Sequence, residues 1–125
     1  MVRCFNRVPL LFFIDHSMST DRMTQLQAML AEEPHDVFLR YAIALEHKRL
    51  AEFDRAIAAL EGLVREEPAH IASYYQLALL LADVGRTMEA VAACEAGMLQ
   101  CLVNADRKAR GELNELRNTL MEAFE

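Results

Sequence analysis

The chain contains little of what turns, β-sheets and disulfide scaffolds require. Of its 125 residues only 4 are Gly and 3 are Pro, and Trp is absent. Such a composition excludes collagen-like chains and turn-rich β-sandwiches. Three Cys are too few, and odd in number, for a disulfide framework, so a reducing cytoplasm is the simplest compartment. Ala and Leu are abundant instead, with 37 residues between them, and both favour helices. The composition therefore predicts a domain of packed helices.

An excess of basic residues is also missing. The chain has 13 Lys and Arg against 19 Asp and Glu, which gives a net charge of −6. A protein that binds nucleic acid normally presents a basic face, and none is evident here. The apolar run at residues 8–14, V-P-L-L-F-F-I, is far shorter than the roughly 20 residues that a membrane-spanning helix needs. We therefore expect neither a nucleic-acid partner nor a membrane span.

The segment 1–17 differs in character from the rest of the chain and is predicted to be a leader. Arg3 and Arg7 precede the apolar run, as in a secretory signal, but Asp15 and His16 follow it at once and no small-x-small cleavage site is present. An alternative is that Met18 is the natural start. We expect residues 1–17 to be disordered or loosely docked, and residues 18–125 to form the folded domain.

An internal sequence repeat organises that domain. Glu32-Glu33-Pro34 recurs as Glu66-Glu67-Pro68, and the same offset aligns Tyr41 with Tyr75 and Ala44 with Ala78. Ten identities fall within one 34-residue window. Matches of Ala alone would mean little in this composition, but the Glu-Glu-Pro and Tyr matches at one shared offset indicate a true repeat.

Each repeat is predicted to contain two helices. Asp36 can cap the first of them, and Gly85 can supply the turn between the two helices of the second unit. The apolar spacing predicts a half repeat over residues 21–36, repeats over 37–70 and 71–104, and a C-terminal capping helix over 106–123 that Asp106 can begin. One face of that last helix is apolar. Its other face is charged and is expected to be solvated: Arg107, Lys108, Arg110, Glu112, Glu115 and Arg117.

The segment of about residues 21–103 resembles the tetratricopeptide repeat family, whose repeat is 34 residues long and consists of two helices. The family's small residue at the contact of the two helices matches Ala44 and Ala78, and the small residue of the second helix matches Ala56 and Ala90. Its other conserved places match as follows: Ile43 and Leu77 before the small residue, Leu60 and Cys94 in the second helix, Pro34 and Pro68 at the end, and Tyr74 as the early aromatic. Arg40 and His47 depart from the pattern, since aromatic residues are common at those places.

The resemblance implies an all-α solenoid of antiparallel helix pairs, with about six helices and no strands. The chain is similar to short bacterial proteins that carry two such repeats between capping helices. The family implies binding of a peptide or protein on a concave face built from the first helix of each repeat, and it implies no catalysis. Some members hold a free C-terminal carboxylate with basic residues, but the corresponding places here carry Tyr41, Leu45 and Gln76.

Catalytic, cofactor and metal sites are not expected. Cys94 and Cys101 are seven residues apart on one helix, which favours two buried thiols over a metal site that would need more ligands. His35 and His70 lie beside predicted turns, where solvated polar residues are common, and His47 lies on an inward face. The sequence contains no recognisable Ser/His/Asp or Cys/His arrangement and no Gly-rich loop for phosphate.

The helical periodicity predicts where a protein or peptide partner would bind. At 100° per residue, the outward sides of the first helices form an apolar stripe with a polar rim. The predicted groove residues are Phe38, Tyr41, Leu45, Lys48, Arg49, Tyr75, Gln76, Leu79 and Asp83.

Three alternatives stay open. The stripe could be covered by the chain's own cap or leader, because proteins rarely leave large apolar patches open. The same faces could stack copies of the chain, which would make it a self-associating structural subunit and a homo-oligomer. The chain could also be a chaperone for secreted proteins, although it has two and a half repeats where such chaperones of this family usually have three.

Overall fold

Six helices follow one another in the computed structural model, which describes residues 21–123. Their bounds are residues 21–32 for α1, Val37–Arg49 for α2, Phe53–Glu66 for α3, Ile71–Asp83 for α4, Thr87–Asn104 for α5 and Arg107–Glu122 for α6. No strand occurs within these residues. The predicted all-α fold class with six helices is confirmed. The predicted leader, residues 1–17, lies outside the described residues.

The helices pack in chain order, and this order forms two layers. From α2 onward each helix contacts the next, and α4 additionally contacts α6. The α4–α6 contacts, together with the side-chain hydrogen bond from Lys48 on α2 to Gln76 on α4, place α2, α4 and α6 side by side in one layer. The helices α3 and α5 pack behind them. This is the architecture of an α-solenoid, in which each unit touches only its neighbours.

The turns between helices have the local chemistry that the sequence predicts. The side chains of Asp36 and Asp106 each accept a hydrogen bond, at 3.0 Å, from the backbone N–H three residues later, and so cap α2 and α6. Gly85 has a φ of +86°, which an L residue rarely adopts. Ala51 occupies the equivalent turn of the first repeat and has a φ of +63°, so this turn needs left-handed backbone in both repeats.

Small side chains lie where the helices cross. Ala44, Ala56, Ala78 and Ala90 have no exposed surface at all. These are the four alanines that the repeat pattern places at helix–helix contacts, and their burial confirms that interpretation. A larger side chain at such a crossing would force the two helices apart.

Gly97 marks a still closer approach, at the point where α4, α5 and α6 meet. A Cβ atom built on Gly97 would lie 2.8 Å from Cδ1 of Leu113 and 2.8 Å from Cβ of Tyr74. The Tyr74 hydroxyl donates a hydrogen bond of 3.0 Å to the carbonyl oxygen of Pro68, so its ring cannot easily move away. The aromatic of the repeat pattern, its closing proline and this glycine therefore form one packing unit.

A buried carboxylate joins α1 to α2. Glu46 is only 3% exposed, and Arg22 and Arg49 both pair with it, the former with 3.1 Å between Nε and Oε1. The hydrogen bond from Arg49, together with the charges of both arginines, holds the pKa of Glu46 below its ordinary value. The equivalent position of the second repeat is Leu80, which is fully buried. The first unit thus uses an ion pair where the second uses an apolar contact.

Replacing Gly97 by Ala should destabilise the fold, although Ala normally favours a helix over Gly. We expect a loss of about 1–3 kcal/mol in the free energy of unfolding, because the new methyl group overpacks the contact with Tyr74 and Leu113. Gly111→Ala is the matched control, since nothing lies within 4 Å of its Cβ position on α6. That variant should gain up to about 1 kcal/mol. Urea unfolding of both variants would measure the difference, and equal effects would contradict this packing.

The Glu46 ion pairs should make stability depend on acidic pH. Because the folded-state pKa of Glu46 lies below its ordinary value of 4.5, the pairs stabilise the fold above that value. This contribution should disappear as the pH falls through the lowered pKa. Glu46→Gln should therefore be less stable than the wild type at pH 7, and the difference in free energy of unfolding should shrink on acidification. A difference that stays constant down to pH 3 would argue against this ion pair.

Candidate functional site

The nine predicted groove residues lie on the exposed sides of α2 and α4, but they are not equally accessible. Three of them are exposed: Phe38, Arg49 and Asp83. The other six are half-buried: Tyr41, Leu45, Lys48, Tyr75, Gln76 and Leu79. Side chains on adjacent helices partly shield one another, so these six residues are less accessible than the other three.

Polar contacts connect α2 and α4 across the first seam of this surface. Nζ of Lys48 donates a hydrogen bond of 2.9 Å to Oε1 of Gln76. Tyr41 lies beside the same amide. Burial raises the pKa of Tyr41, while its hydrogen bond with Gln76 acts in the opposite direction. The structure thus brings together three of the predicted groove residues.

His70 supports this seam from the turn before α4. Its ring contacts the Tyr41 ring edge-on, with 5.0 Å between centroids, and its Nδ1 lies 2.7 Å from Oγ of the buried Ser73. Burial lowers the pKa of His70, and the charge of Glu67 opposes this only in part. The neutral form of the ring therefore predominates at pH 7. The expectation of a solvated turn residue is wrong for His70, because the fold of α4 against α2 covers its ring.

A second seam, between α4 and α6, was not foreseen from the sequence. Tyr75 lines a cavity of about 420 Å³ with four residues of α6: Glu112, Glu115, Leu116 and Thr119. The charged side of α6 is exposed, as predicted, at five of its six residues, all but the half-buried Arg117. Two of the five, Glu112 and Glu115, additionally line this cavity, because α6 packs beside α4. The order of the predicted helices could have shown this.

Two predicted groove residues have other neighbours. Phe38 lines a separate cavity with Met29, Glu32 and Glu33 at the end of α1. Arg49 pairs with Glu46. We call the remaining surface of α2, α4 and α6 the groove, and its members are Tyr41, Leu45, Lys48, Tyr75, Gln76, Leu79, Asp83, Glu112, Glu115, Leu116 and Thr119.

Charge is distributed unevenly along the groove. Lys48 provides a cation on the α2 side, whereas Glu112 and Glu115 provide two carboxylates on the α6 side. The tyrosines and leucines lie between them. A surface of this kind can bind an extended segment through apolar contacts and fix its direction by charge.

The two cysteines of α5 are buried among the packed helices. Cys94 and Cys101 are free and buried, as predicted, and burial raises the pKa of Cys94 to about 11. Its thiol is therefore protonated at neutral pH. Among residues 21–123 no group of three or more His, Cys, Asp or Glu side chains is placed to hold a metal ion. None of the helices described is long and apolar enough to cross a membrane.

Comparison with known proteins relates this architecture to solved structures. No protein-family model matches the sequence, and no curated protein matches it significantly. Among solved structures, a tetratricopeptide repeat domain protein of Salinibacter ruber is 31% identical, with a TM-score of 0.67, over 70% of this chain and 88% of the other.

Two further structures share the fold at lower identity. A protein of Bordetella parapertussis is 23% identical with a TM-score of 0.71, over 81% of this chain and 88% of the other. The TPR2B domain of yeast Sti1, solved as a complex with pHsp70, is 19% identical with a TM-score of 0.74, over 94% of each chain. The 34-residue period, the buried small residues and the identity to the Salinibacter ruber domain together establish that this chain belongs to the tetratricopeptide repeat family.

Proposed function

We propose that the chain is a non-catalytic interaction module that binds a segment of another protein in the groove. One observation carries this proposal: Tyr41 and Tyr75, one repeat apart, each stand half-buried at a seam between two helices of the same layer. Tyrosines combine a large apolar surface with a hydroxyl that can bind a polar group, and they are enriched at protein interfaces.

Family membership supports the general role. Tetratricopeptide repeat neighbours are interaction domains, and the yeast neighbour was solved with a bound partner. That neighbour is only 19% identical, so its partner is not transferred to this chain. A cytoplasmic location and a bacterial origin remain predictions, as does the alternative of a chaperone for secreted proteins.

The groove indicates which kind of segment would fit. Apolar side chains of the ligand would lie against the tyrosines and leucines, and a backbone carbonyl or a carboxylate would lie near Lys48. A basic side chain would be attracted to Glu112 and Glu115, whose carboxylates line the cavity beside Tyr75. The expected ligand is therefore an apolar segment with a basic end over α6. A bare C-terminal carboxylate is a poor candidate, because Lys48 is the one cation among the groove residues defined above and its ammonium already donates a hydrogen bond to Gln76.

Removing both tyrosine rings should abolish most of this binding. Partners would be captured from a lysate of the native host, identified by mass spectrometry, and titrated by calorimetry against the wild type and the Tyr41→Ala/Tyr75→Ala variant. The Kd should rise about tenfold or more, because two aromatic anchors contribute about 2 kcal/mol or more to binding.

Phe53→Ala provides the control, because Phe53 is an exposed aromatic on α3, outside the groove. It should bind like the wild type, and circular dichroism should show that all three proteins are equally helical. If the double tyrosine variant still binds its partner with wild-type affinity, the binding site lies elsewhere and the groove assignment is wrong.

A further inference from the structure

Two apolar surfaces lie outside the groove, at opposite ends of the helix order. The first, which we call the amino-terminal patch, surrounds a cavity of about 320 Å³ between the end of α1 and the start of α2. Met29 is 52% exposed there and Phe38 is 73% exposed. Three carboxylates line the same cavity, those of Glu32, Glu33 and Asp36. This patch is apolar with an acidic rim.

The second surface, the carboxy-terminal patch, lies between α5 and the start of α6. Leu99 and Leu102 are 64% and 58% exposed and line a cavity of about 300 Å³ with Met98 and Arg110. Arg107 and Arg110 line an adjoining cavity with Met98. The carboxylate in this patch, Glu95, lies 3.5 Å from Arg117. This patch is apolar with a basic rim.

Each rim charge has the sign that the dipole of its own helix disfavours at that end. Glu32 and Glu33 lie at the carboxyl end of α1, where the dipole favours cations, and Arg107 and Arg110 lie in the first turn of α6, where it favours anions. Among the ion pairs between described residues, none includes these four side chains. Their charges therefore oppose the helix dipoles without a compensating ion pair to another residue of 21–123, which favours a role in contact with another molecule.

From this complementarity we infer that a second copy of the chain occupies each patch. The amino-terminal patch offers apolar side chains and carboxylates, and the carboxy-terminal patch offers apolar side chains and guanidinium groups, so each supplies what the other lacks. The two patches of one chain cannot meet, because α3 and α4 lie between α2 and α5 in the packing order. Copies therefore associate head to tail, with burial of Phe38 against Leu99 and Leu102 as the apolar contact.

A head-to-tail contact between two different surfaces does not close on itself in a dimer. The assembly should grow with protein concentration from dimers to larger species, as rings or open chains. Since rim charges mainly steer and align the partners, high salt should weaken the assembly. This inference is independent of the groove, because none of the groove residues lines either patch.

Charge reversal tests the contact without weakening the fold. Two double variants reverse one rim each: Glu32→Arg/Glu33→Arg and Arg107→Glu/Arg110→Glu. Each variant places like charges opposite one another in the contact between copies. The new side chains also carry the charge that the dipole of their helix favours at that end. Sedimentation velocity from micromolar to millimolar concentration should show self-association of the wild type, and each variant should need about tenfold or more protein to associate to the same extent. The quadruple variant, in which both rims are exchanged, should associate like the wild type.

Arg55→Glu/Arg65→Glu on α3 is the matched control, because it reverses the same number of cations at exposed positions outside both patches. This control should associate like the wild type. A wild type that stays monomeric over the whole range would overturn the inference. So would self-association that either double reversal leaves unchanged, and so would a quadruple variant that remains monomeric.

Discussion

The distance between helices at their small residues governs the geometry of the whole stack. Ala44 and Ala78 in the first helices, and Ala56 and Ala90 in the second, are completely buried, so the helices cross in near-backbone contact. The helices approach still more closely at Gly97, where a single methyl group would collide with Tyr74 and Leu113. Helices held this close place α2, α4 and α6 within side-chain reach of one another, and every polar contact of the groove depends on that spacing.

The groove is a consequence of this layer and not of any single helix. Lys48 meets Gln76 because α2 and α4 are neighbours in space, although the two residues are 28 positions apart in the chain. Tyr75 lines one cavity with Glu112 and Glu115 because α6 continues the layer. The apolar face of the last helix, with buried Leu113, closes the core, and its residues Glu112 and Glu115 line the groove in which we propose that a partner segment binds.

Charges at the two ends of the stack are arranged differently from those inside it. Glu46 is buried and satisfied by two arginines, so its charge is used within the chain to attach α1. Glu32, Glu33, Arg107 and Arg110 stand at helix ends where their charges oppose the dipoles and lie beside exposed apolar side chains. The first arrangement stabilises the fold, and the second is the kind found at surfaces that contact another molecule.

The fold follows from features that can be read along the chain. Four of these features are local or periodic, and each can be recognised from the sequence alone: the repeat offset, the recurring alanines, the two Asp caps and the turn at Gly85. Residue spacing also places Tyr41, Tyr75 and Gln76 on outward faces, because spacing determines the face of a helix. Which faces meet became known only from the packed helices: His70 is covered by Tyr41, Phe38 lies beside Met29, Glu46 is buried, and α6 borders the groove. These contacts join different helices, and their existence depends on how closely the helices pack, which periodicity does not encode.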